Sequence, residues 1–315
     1  MARLLITGAA GMLGTALVSH LAAHHHITAT DRTRGYAPLG VDWRLLDLDD
    51  RPGITKLVRA TDPDVLIHTA AVVDVDGCER DPDRATRVHV DATATIADAA
   101  TSVGASLLYI STDSVFDGEK AQPYTEDDAP HPLNMYARTK LLGEQAALSI
   151  ASGTVLRTNI FGWSRAERQS FAEWVLRGLV DGRPLGMFAD VRFTPIHVSH
   201  LASLIEQVIA RQLSGLYHAG GGTALSKLDF ALAMAGAFGL STSNVGVRQL
   251  SDATLSAPRP RNTSLSSRRL ADLLGCSIPT CADGIQLMKH EYDSGWLAHV
   301  KGRPIAGGYR YWENA

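Results

Sequence analysis

Cysteine is scarce in this chain of 315 residues, which has only Cys78, Cys276 and Cys281 and no C-x-x-C spacing. An odd number of thiols without that spacing argues against a disulfide framework and against a cysteine-based zinc site. We therefore expect free thiols in a reducing compartment, and a bond between Cys276 and Cys281 is left open. A cytoplasmic protein fits this expectation.

An excess of charge is also missing. With 30 basic and 33 acidic residues, the formal net charge is -3, which offers no basic surface for nucleic acid. Residues 4–30 carry no Asp, Glu, Lys or Arg, but glycines and four histidines interrupt them. No continuous apolar run approaches the roughly 20 residues that a bilayer requires. We expect no membrane span and a small-molecule partner; a homodimer is left open.

The composition, 45% hydrophobic and 20% charged, is sufficient for a full core. Apolar runs alternate with helical patterns along the first half of the chain. The runs are RLLITG, HITATD, WRLLDL, DVLIHTAA, ASLLYIST and GTVLRTN, and the helices between them lie near 11–24, 52–60, 82–103 and 132–152. Strands joined by single helices need crossover connections, so the pattern predicts a Rossmann-like, doubly wound parallel α/β sheet.

After residue 160 the alternation loosens. The patterns there predict helices near 167–182, 199–213, 226–239, 266–275 and 281–292, with strands at GLYHAG and 244–250. We expect a dinucleotide-binding domain at 1–160, to which segments near 190–225 return, and a smaller mixed α/β substrate-binding region at 161–315. The aromatic tail with Trp296, Tyr309, Tyr311 and Trp312 is expected to pack on the surface, to cap the site or to contact a second subunit.

A glycine turn lies directly between the first strand and the first helix. Gly8, Gly11 and Gly14 have G-x-x-G-x-x-G spacing, which lets the backbone approach a pyrophosphate closely. The amino terminus of the helix, with Met12 and Leu13, then offers N–H groups and a positive dipole end. The spacing predicts a dinucleotide cofactor at this turn.

Acidic residues follow the next two strands. Asp31 lies about 20 residues after the turn, where a carboxylate binds the ribose hydroxyls of NAD, but Arg32 and Arg34 could instead pair with the 2′-phosphate of NADP. The sequence leaves this choice open. Asp47 and Leu48, after the third strand, are expected to contact the adenine; the alternative for Asp47 is a helix or turn cap.

A tyrosine and a lysine are spaced for one face of a helix. Tyr136 and Lys140 stand four residues apart in YARTK. A phenol has an ordinary pKa of about 10, and a neighbouring ammonium makes its proton easier to donate. Thr112 ends the fifth strand, and its hydroxyl could hydrogen-bond a carbonyl oxygen held by Tyr136. The combination predicts a site of proton donation to a ketone.

Together these features resemble the extended short-chain dehydrogenases/reductases, and more narrowly the dTDP-4-dehydrorhamnose reductase, or RmlD-like sugar-nucleotide-binding, family. The resemblance runs from about residue 3 to 290. It is carried by TGAAGMLG, PDVLIHTAA, the V-D-x-x-E of Val75, Asp76 and Glu79, STDSVFDG, the Y-x-E-D-x-x-P-x-P-L-N-x-Y-x-x-T-K-x-x-G-E between Tyr124 and Glu144, and RPRNTSL.

The resemblance implies NAD(P)H-dependent reduction of the C4 ketone of a nucleotide-linked deoxysugar. Tyr136 would donate the proton, Lys140 would hold the nicotinamide ribose and tune Tyr136, and Thr112 would hold the substrate oxygen. Ala70, Ala71 and Val72, after the fourth strand, would line the cofactor.

The substrate side departs from the family pattern. Val73 stands where the family has a polar residue, Ser114 where it has tyrosine and Ile160 where it has an aromatic residue, while Thr194 and Pro195 reverse its P-T order. The exact sugar and nucleotide are therefore left open. The residues expected to face the substrate are Val73, Asp76, Ser114, Asn159, Arg192 and Arg259; for the two arginines a structural ion pair is the alternative.

Other functions remain as alternatives. A dehydratase is disfavoured, because Asp113 is followed by Ser114 rather than glutamate. An epimerase that retains NAD and a non-catalytic regulatory subunit of a methionine adenosyltransferase stay open. No metal is expected, since His24, His25 and His26 would point in different directions on a regular element, and His68 and His197 are expected to be polar residues satisfied beside strands.

Overall fold

A computed structural model describes residues 1–165 and 169–301. In this part of the chain the strands are β1 (Arg3–Thr7), β2 (His26–Asp31), β3 (Asp42–Leu45), β4 (Val65–His68), β5 (Ser106–Thr112), β6 (Gly153–Thr158), β7 (Ile160–Phe161), β8 (Leu185–Phe188), β9 (Arg192–Phe193), β10 (Ile196–His197), β11 (Gly215–His218), β12 (Leu225–Ser226) and β13 (Val245–Arg248).

The helices of the same part are α1 (Met12–Leu21), α2 (Arg51–Thr61), α3 (Val75–Arg80), α4 (Pro82–Thr86), α5 (Ala92–Val103), α6 (Met135–Leu148), α7 (Phe171–Val180), α8 (Val198–Ala210), α9 (Lys227–Phe238), α10 (Arg268–Leu274), α11 (Cys281–Asp293) and α12 (Trp296–Lys301). A π-helical turn, Arg87–Asp91, joins α4 to α5, so the helix predicted at 82–103 is one continuous helical run.

Seven strands form a parallel sheet in the order β11-β6-β5-β4-β1-β2-β3. Leu4–Thr7 of β1 pair in register with Val65–His68 of β4, which brings the carboxyl ends of neighbouring strands to one edge. This arrangement confirms the predicted doubly wound sheet. The position of β11 beside β6 also returns residues 215–218 to the large sheet; the domain division near residue 160 stays a prediction.

The sheet is buried on both faces, as its apolar strands require. Leu4 and Ile6 of β1 face α1 and α8, whereas Leu5 between them faces α2 and α5. A second core lies in the carboxyl-terminal region, where α7, α9 and α11 pack around β8. The large sheet therefore provides a rigid edge, at which the predicted site residues after β1, β2, β4 and β5 lie.

Several short elements were not predicted from the sequence: α3, α12 and the two-residue strands β7, β9, β10 and β12. Such elements are too short for a hydrophobic period to be visible. Of the predicted tail aromatics, Trp296 begins α12, while Tyr309, Tyr311 and Trp312 lie outside the described residues.

Candidate active site

The turn between β1 and α1 contains glycine because neighbouring backbone lies against it. Gly8 has a φ of +69°, and a Cβ there would lie 2.6 Å from the amide nitrogen of Ala70. A Cβ on Gly14 would lie 2.2 Å from the carbonyl oxygen of Gly8. Any side chain at either position would push the turn away from α1 or from the loop after β4. The fit is that of a backbone cradle for a dinucleotide.

Helix α1 begins without a side-chain cap. Its N-cap residue is Gly11, so no side chain accepts a hydrogen bond from the amides of the first turn, where Met12 and Leu13 lie. Such amides and the helix dipole suit the binding of phosphate.

Asp31 ends β2 beside the same turn. Its Oδ2 accepts a hydrogen bond from the Ala10 amide (3.1 Å), and its Oδ1 accepts one from the Arg32 amide (2.7 Å). The carboxylate thus holds the glycine turn in place, while the side chains of Arg32 and Arg34 are exposed beyond it. The Asp31 carboxylate and the exposed arginines, the two alternatives predicted for binding the adenosine ribose, are both present here. The geometry is therefore compatible with NAD and with NADP.

The residues expected to contact adenine lie just past the end of β3. Asp47 accepts a hydrogen bond from the Asp49 amide (3.1 Å), which is the turn-capping role that the sequence left as an alternative. Leu48 is half-buried and packs against the core. Their contact with adenine stays a prediction.

A residue that sequence reasoning missed joins the loop after β4 to helix α6. His89, fully buried in the π-helical turn, accepts a hydrogen bond at Nε2 from the Val72 amide (2.9 Å). Its Nδ1 lies 2.8 Å from the Thr139 hydroxyl and, because Nε2 accepts, carries the proton that is donated to Thr139. Burial lowers the pKa of His89 to about 2, so the ring is neutral. No motif marked this histidine, since both partners are distant in sequence.

Helix α6 positions two of the three predicted catalytic residues. It begins at Met135, whose amide donates to Glu79 (2.9 Å), and Asn134 caps it by accepting from the Ala137 amide (3.0 Å). A carboxylate at this end of a helix is favourable because the dipole is positive there. These contacts fix the first turn of α6, in which Tyr136 lies.

Tyr136, in the first turn of α6, interacts with Thr112 at the end of β5. Burial raises the pKa of Tyr136 to about 12, and the Thr112 side chain lowers that pKa by a smaller amount. Thr112 also accepts a hydrogen bond from the Ser114 amide (3.1 Å). At neutral pH Tyr136 is therefore a protonated phenol, the form that a proton donor needs.

Lys140 lies one helical turn further along α6, but its effect on Tyr136 is not the one expected. Its ammonium donates to the carbonyl oxygen of Ile110 (2.6 Å) and lies 4.0 Å from the centroid of the Tyr109 ring. Burial lowers the pKa of Lys140 to about 7. The predicted acidification of Tyr136 by this ammonium is not found in this arrangement.

Asp113, directly after Thr112, organises the substrate side. Its Oδ2 accepts hydrogen bonds from the Thr263 hydroxyl (2.6 Å) and from the side-chain Nδ2 of Asn159 (2.8 Å). Its Oδ1 accepts from the hydroxyls of Thr112 and Ser114, both at 3.3 Å. The carboxylate is 1% exposed, and burial raises its pKa. Its place after the strand-end threonine was the available signal, although sequence reasoning used it only to disfavour a dehydratase.

The remaining predicted substrate residues have different surroundings. Arg259 pairs with Asp76 (3.1 Å), which is the ion pair that the sequence left as the alternative for this arginine; Asp76 also accepts from the Ala257 amide (3.1 Å). Arg192 is exposed and donates to the carbonyl oxygen of Ala224 (3.3 Å). Val73 is 64% exposed after β4. Contact of these side chains with a substrate stays a prediction.

The residues of the VFDG and Y-x-E-D motifs hold a neighbouring segment in place. The Tyr124 hydroxyl donates to Asp117 (2.7 Å), and the Tyr124 backbone pairs with Ser264 and Ser266. Gly118, at a φ of +83°, lies against the backbone at Arg261. These contacts hold the RPRNTSL segment, including Thr263, against the end of β5.

The histidines behave partly as expected. His68 is buried and shares a hydrogen bond with Thr7 (2.6 Å), and the buried His197 accepts from the Ser199 amide (3.3 Å). His24 and His25, however, lie off the regular elements and both approach Glu206, at 3.0 and 3.9 Å. In the described part of the chain, no group of three or more His, Cys, Asp or Glu side chains could hold a metal ion.

No helix among residues 1–165 and 169–301 has the length and apolar character needed to cross a bilayer.

A parallel Rossmann sheet, a glycine turn and a Thr–Tyr–Lys set define the extended short-chain dehydrogenases/reductases. Residues 2–294 match the family model for the RmlD substrate binding domain, and the chain belongs to this family. The family is one of NAD(P)-binding sugar-nucleotide reductases.

Three similar proteins illustrate the range of the family. A dTDP-4-dehydrorhamnose reductase of Aggregatibacter actinomycetemcomitans is 33% identical, over 74% of this chain and 78% of its own. The methionine adenosyltransferase 2 subunit beta of Xenopus laevis is 35% identical, over 85% of this chain and 81% of its own. A crystal structure of a Bacillus anthracis dTDP-4-dehydrorhamnose reductase in complex with NADP superposes with a TM-score of 0.83, at 27% identity, covering 92% of this chain and 99% of that one.

Proposed function

We propose that this protein uses NADPH or NADH to reduce the C4 ketone of a nucleotide-linked deoxysugar. The observation that carries the proposal is that α6, which holds Tyr136 and Lys140, meets the carboxyl-terminal part of β5: Lys140 donates to the carbonyl oxygen of Ile110 (2.6 Å), two residues before Thr112. Two relatives named dTDP-4-dehydrorhamnose reductase support it, one of them solved in complex with NADP.

The residues around the glycine turn fit a dinucleotide. Gly8, Gly11 and Gly14, with the first amides of α1, would hold the pyrophosphate. Asp31 or Arg32 would bind the adenosine ribose, Asp47 and Leu48 the adenine, and Ala70 to Val72 the nicotinamide side. When bound, the nicotinamide supplies a hydride, and the protein supplies orientation and a proton.

The proton comes from Tyr136 in this mechanism. Its phenol donates to the ketone oxygen as negative charge develops there, and Thr112 donates a hydrogen bond to the same oxygen. Lys140, one helical turn further along α6, would bind the nicotinamide ribose. Solvent then returns a proton to Tyr136.

A cofactor-oxidation assay tests the proposal directly. The purified protein is mixed with NADPH or NADH and with 4-keto-6-deoxy sugars linked to thymidine or uridine diphosphate, and absorbance at 340 nm is followed. We expect ketone-dependent loss of absorbance with at least one sugar. Cofactor binding without oxidation in the presence of any of these ketones would reject the reductase.

A regulatory role is the second candidate function. It is favoured by the 35% identity to a methionine adenosyltransferase 2 subunit beta and by the departures at Val73, Ser114 and Ile160. A regulatory subunit would form a stable complex with a methionine adenosyltransferase catalytic subunit in size-exclusion chromatography and would lack ketone-dependent oxidation. An epimerase, the third alternative, would retain NAD through purification.

Arg32→Ala is expected to discriminate between the two cofactors. If its exposed guanidinium pairs with the 2′-phosphate, the substitution lowers the affinity for NADPH about tenfold or more and leaves the affinity for NADH nearly unchanged. Fluorescence titration of both cofactors measures this, with Arg59→Ala, an exposed arginine on α2, as the matched control. Equal weakening of NADPH and NADH would reject the assignment of Arg32.

A further inference from the structure

Lys227, the first residue of α9, holds a positive charge that the mechanism above does not use. Its Nζ lies 3.3 Å from the centroid of the Phe193 ring and 4.4 Å from that of Phe171. An ammonium has three N–H donors, and none of them donates to an acceptor in residues 1–165 and 169–301. Burial lowers the pKa of Lys227 to about 8. Aromatic faces attract a cation but cannot replace oxygen acceptors.

One acidic group that interacts with this ammonium, Asp113, already accepts several hydrogen bonds. Lys227 and Asp113 interact electrostatically: the carboxylate raises the pKa of Lys227, and the ammonium lowers that of Asp113. The two oxygens of Asp113 accept four hydrogen bonds, from Thr112, Ser114, Asn159 and Thr263. Asp113 thus balances the charge of Lys227 without satisfying its donors.

The position of Lys227 relates it to the reacting end of the site. Its partner charge, Asp113, directly follows Thr112, and Asn159 directly follows β6. Thr263 donates to Asp113 (2.6 Å), and its backbone amide donates to the carbonyl oxygen of Arg192 (3.0 Å), the residue before Phe193. Because the Lys227 ammonium lies over the Phe193 ring, Lys227 lies next to the network that holds Thr112. The residue is only half-buried.

We propose that Lys227 is a sugar-recognition residue that donates hydrogen bonds to hydroxyl groups of an uncharged sugar. The inference deepens the proposed function and rests on it for the presence of a nucleotide sugar. The charges favour a neutral ring, because Lys227 and Asp113 already balance each other. A hexuronic acid would add a second carboxylate beside Asp113, whose charge already offsets that of Lys227.

Calorimetric titration of the NADP-loaded protein with dTDP and with dTDP-glucose tests this assignment. Neither probe has a ketone, so no turnover interferes. We expect the wild type to bind dTDP-glucose more tightly than dTDP. Lys227→Met should lower the affinity for dTDP-glucose about tenfold or more, since it removes a hydrogen bond from a charged donor. The affinities for dTDP and NADP should stay unchanged. Lys227→Arg should retain most of the affinity for dTDP-glucose.

Lys289→Met is the matched control. Lys289 also lies over an aromatic ring, 5.7 Å from the centroid of Phe238, but it pairs with Asp293 on α11 and is not part of the Asp113 network. The Lys289→Met protein should bind dTDP and dTDP-glucose with the affinities of the wild type. Lys227→Met also removes the charge that faces Asp113, so two checks on the fold are needed: Lys227→Arg, which keeps the charge, and unchanged NADP affinity of Lys227→Met.

Three results would overturn the proposal: a Lys227→Met variant that binds dTDP-glucose normally, an equal loss for dTDP and dTDP-glucose, and a wild type that binds both equally. Titration with UDP-glucose and with UDP-glucuronic acid tests whether the site prefers an uncharged sugar. If UDP-glucuronic acid binds more tightly than UDP-glucose and its binding depends on Lys227, the preference for an uncharged sugar is wrong. Turnover with a 4-keto sugar is measured separately. Lys227-dependent sugar binding without turnover would reject the reductase alone, and turnover without an effect of Lys227 would reject this inference alone.

Discussion

Tyr136→Phe is expected to lower turnover by about 10²–10⁴-fold, the usual contribution of a positioned general acid. The substitution removes one hydroxyl and leaves the ring, which packs edge-to-face against His89 with centroids 5.7 Å apart. The affinity for NADPH should stay within about twofold, because the glycine turn and Asp31 are untouched. Steady-state turnover with a 4-keto nucleotide sugar and fluorescence titration of NADPH measure the two effects.

The matched control for this variant is Tyr217→Phe. The hydroxyl of Tyr217, a residue of β11, donates to the carbonyl oxygen of Ser214 (2.8 Å), so its loss should leave turnover unchanged. Normal turnover by Tyr136→Phe would remove the proton-donor role and would leave Thr112 or a water as the source. A parallel loss of NADPH affinity would instead indicate that α6 had shifted.

The second large effect concerns stability. Glu144→Ala should lower the free energy of unfolding by about 3–5 kcal/mol, the range for breaking a buried ion pair. Glu144 accepts hydrogen bonds from the Arg157 guanidinium (2.7 and 2.9 Å) and from Ser111 (2.5 Å), and both charged side chains are 3% exposed. Its loss leaves the Arg157 charge buried without a partner. Urea denaturation followed by circular dichroism measures the change.

Two further variants separate the ion pair from simple loss of volume. Glu144→Leu combined with Arg157→Met should recover most of the stability, because apolar replacement of a buried pair is often neutral. Asp293→Ala, which breaks the partly exposed pair with Lys289, should cost under about 0.5 kcal/mol. A loss below about 1 kcal/mol for Glu144→Ala would mean that water reaches Arg157.

The helix that carries the chemistry shows what spacing could and could not predict. The i, i+4 rule places Tyr136, Lys140 and Glu144 on one face of α6. In the structure Lys140 donates to Ile110 of β5, and Glu144 accepts from Ser111 of the same strand. Spacing carries no information about the neighbours on the sheet, however. The Ile110 carbonyl and the Tyr109 ring hold the Lys140 ammonium, so the expected effect on Tyr136 fails.

The same limit explains which site residues were missed. The glycine turn and Asp31 are predictable because their function depends on a local β-turn-α unit. His89, Asp113 and Lys227 acquire their roles from partners 17 to more than 100 residues away, such as Val72 and Thr263. Parallel sheets are built from such distant pairings, and a single sequence without covariation does not reveal them.

The edge strand β11 has a consequence for how the chain can be cut or synthesised. It pairs with β6 after a separation of about 60 residues, so the sheet cannot be completed on the ribosome until residue 218 has emerged. A fragment that stops at residue 160 would present the unpaired backbone of β6 to solvent, a template for association between nascent chains. Contacts of such long range also slow folding. Chaperone demand should therefore be highest while residues 160–218 are being translated.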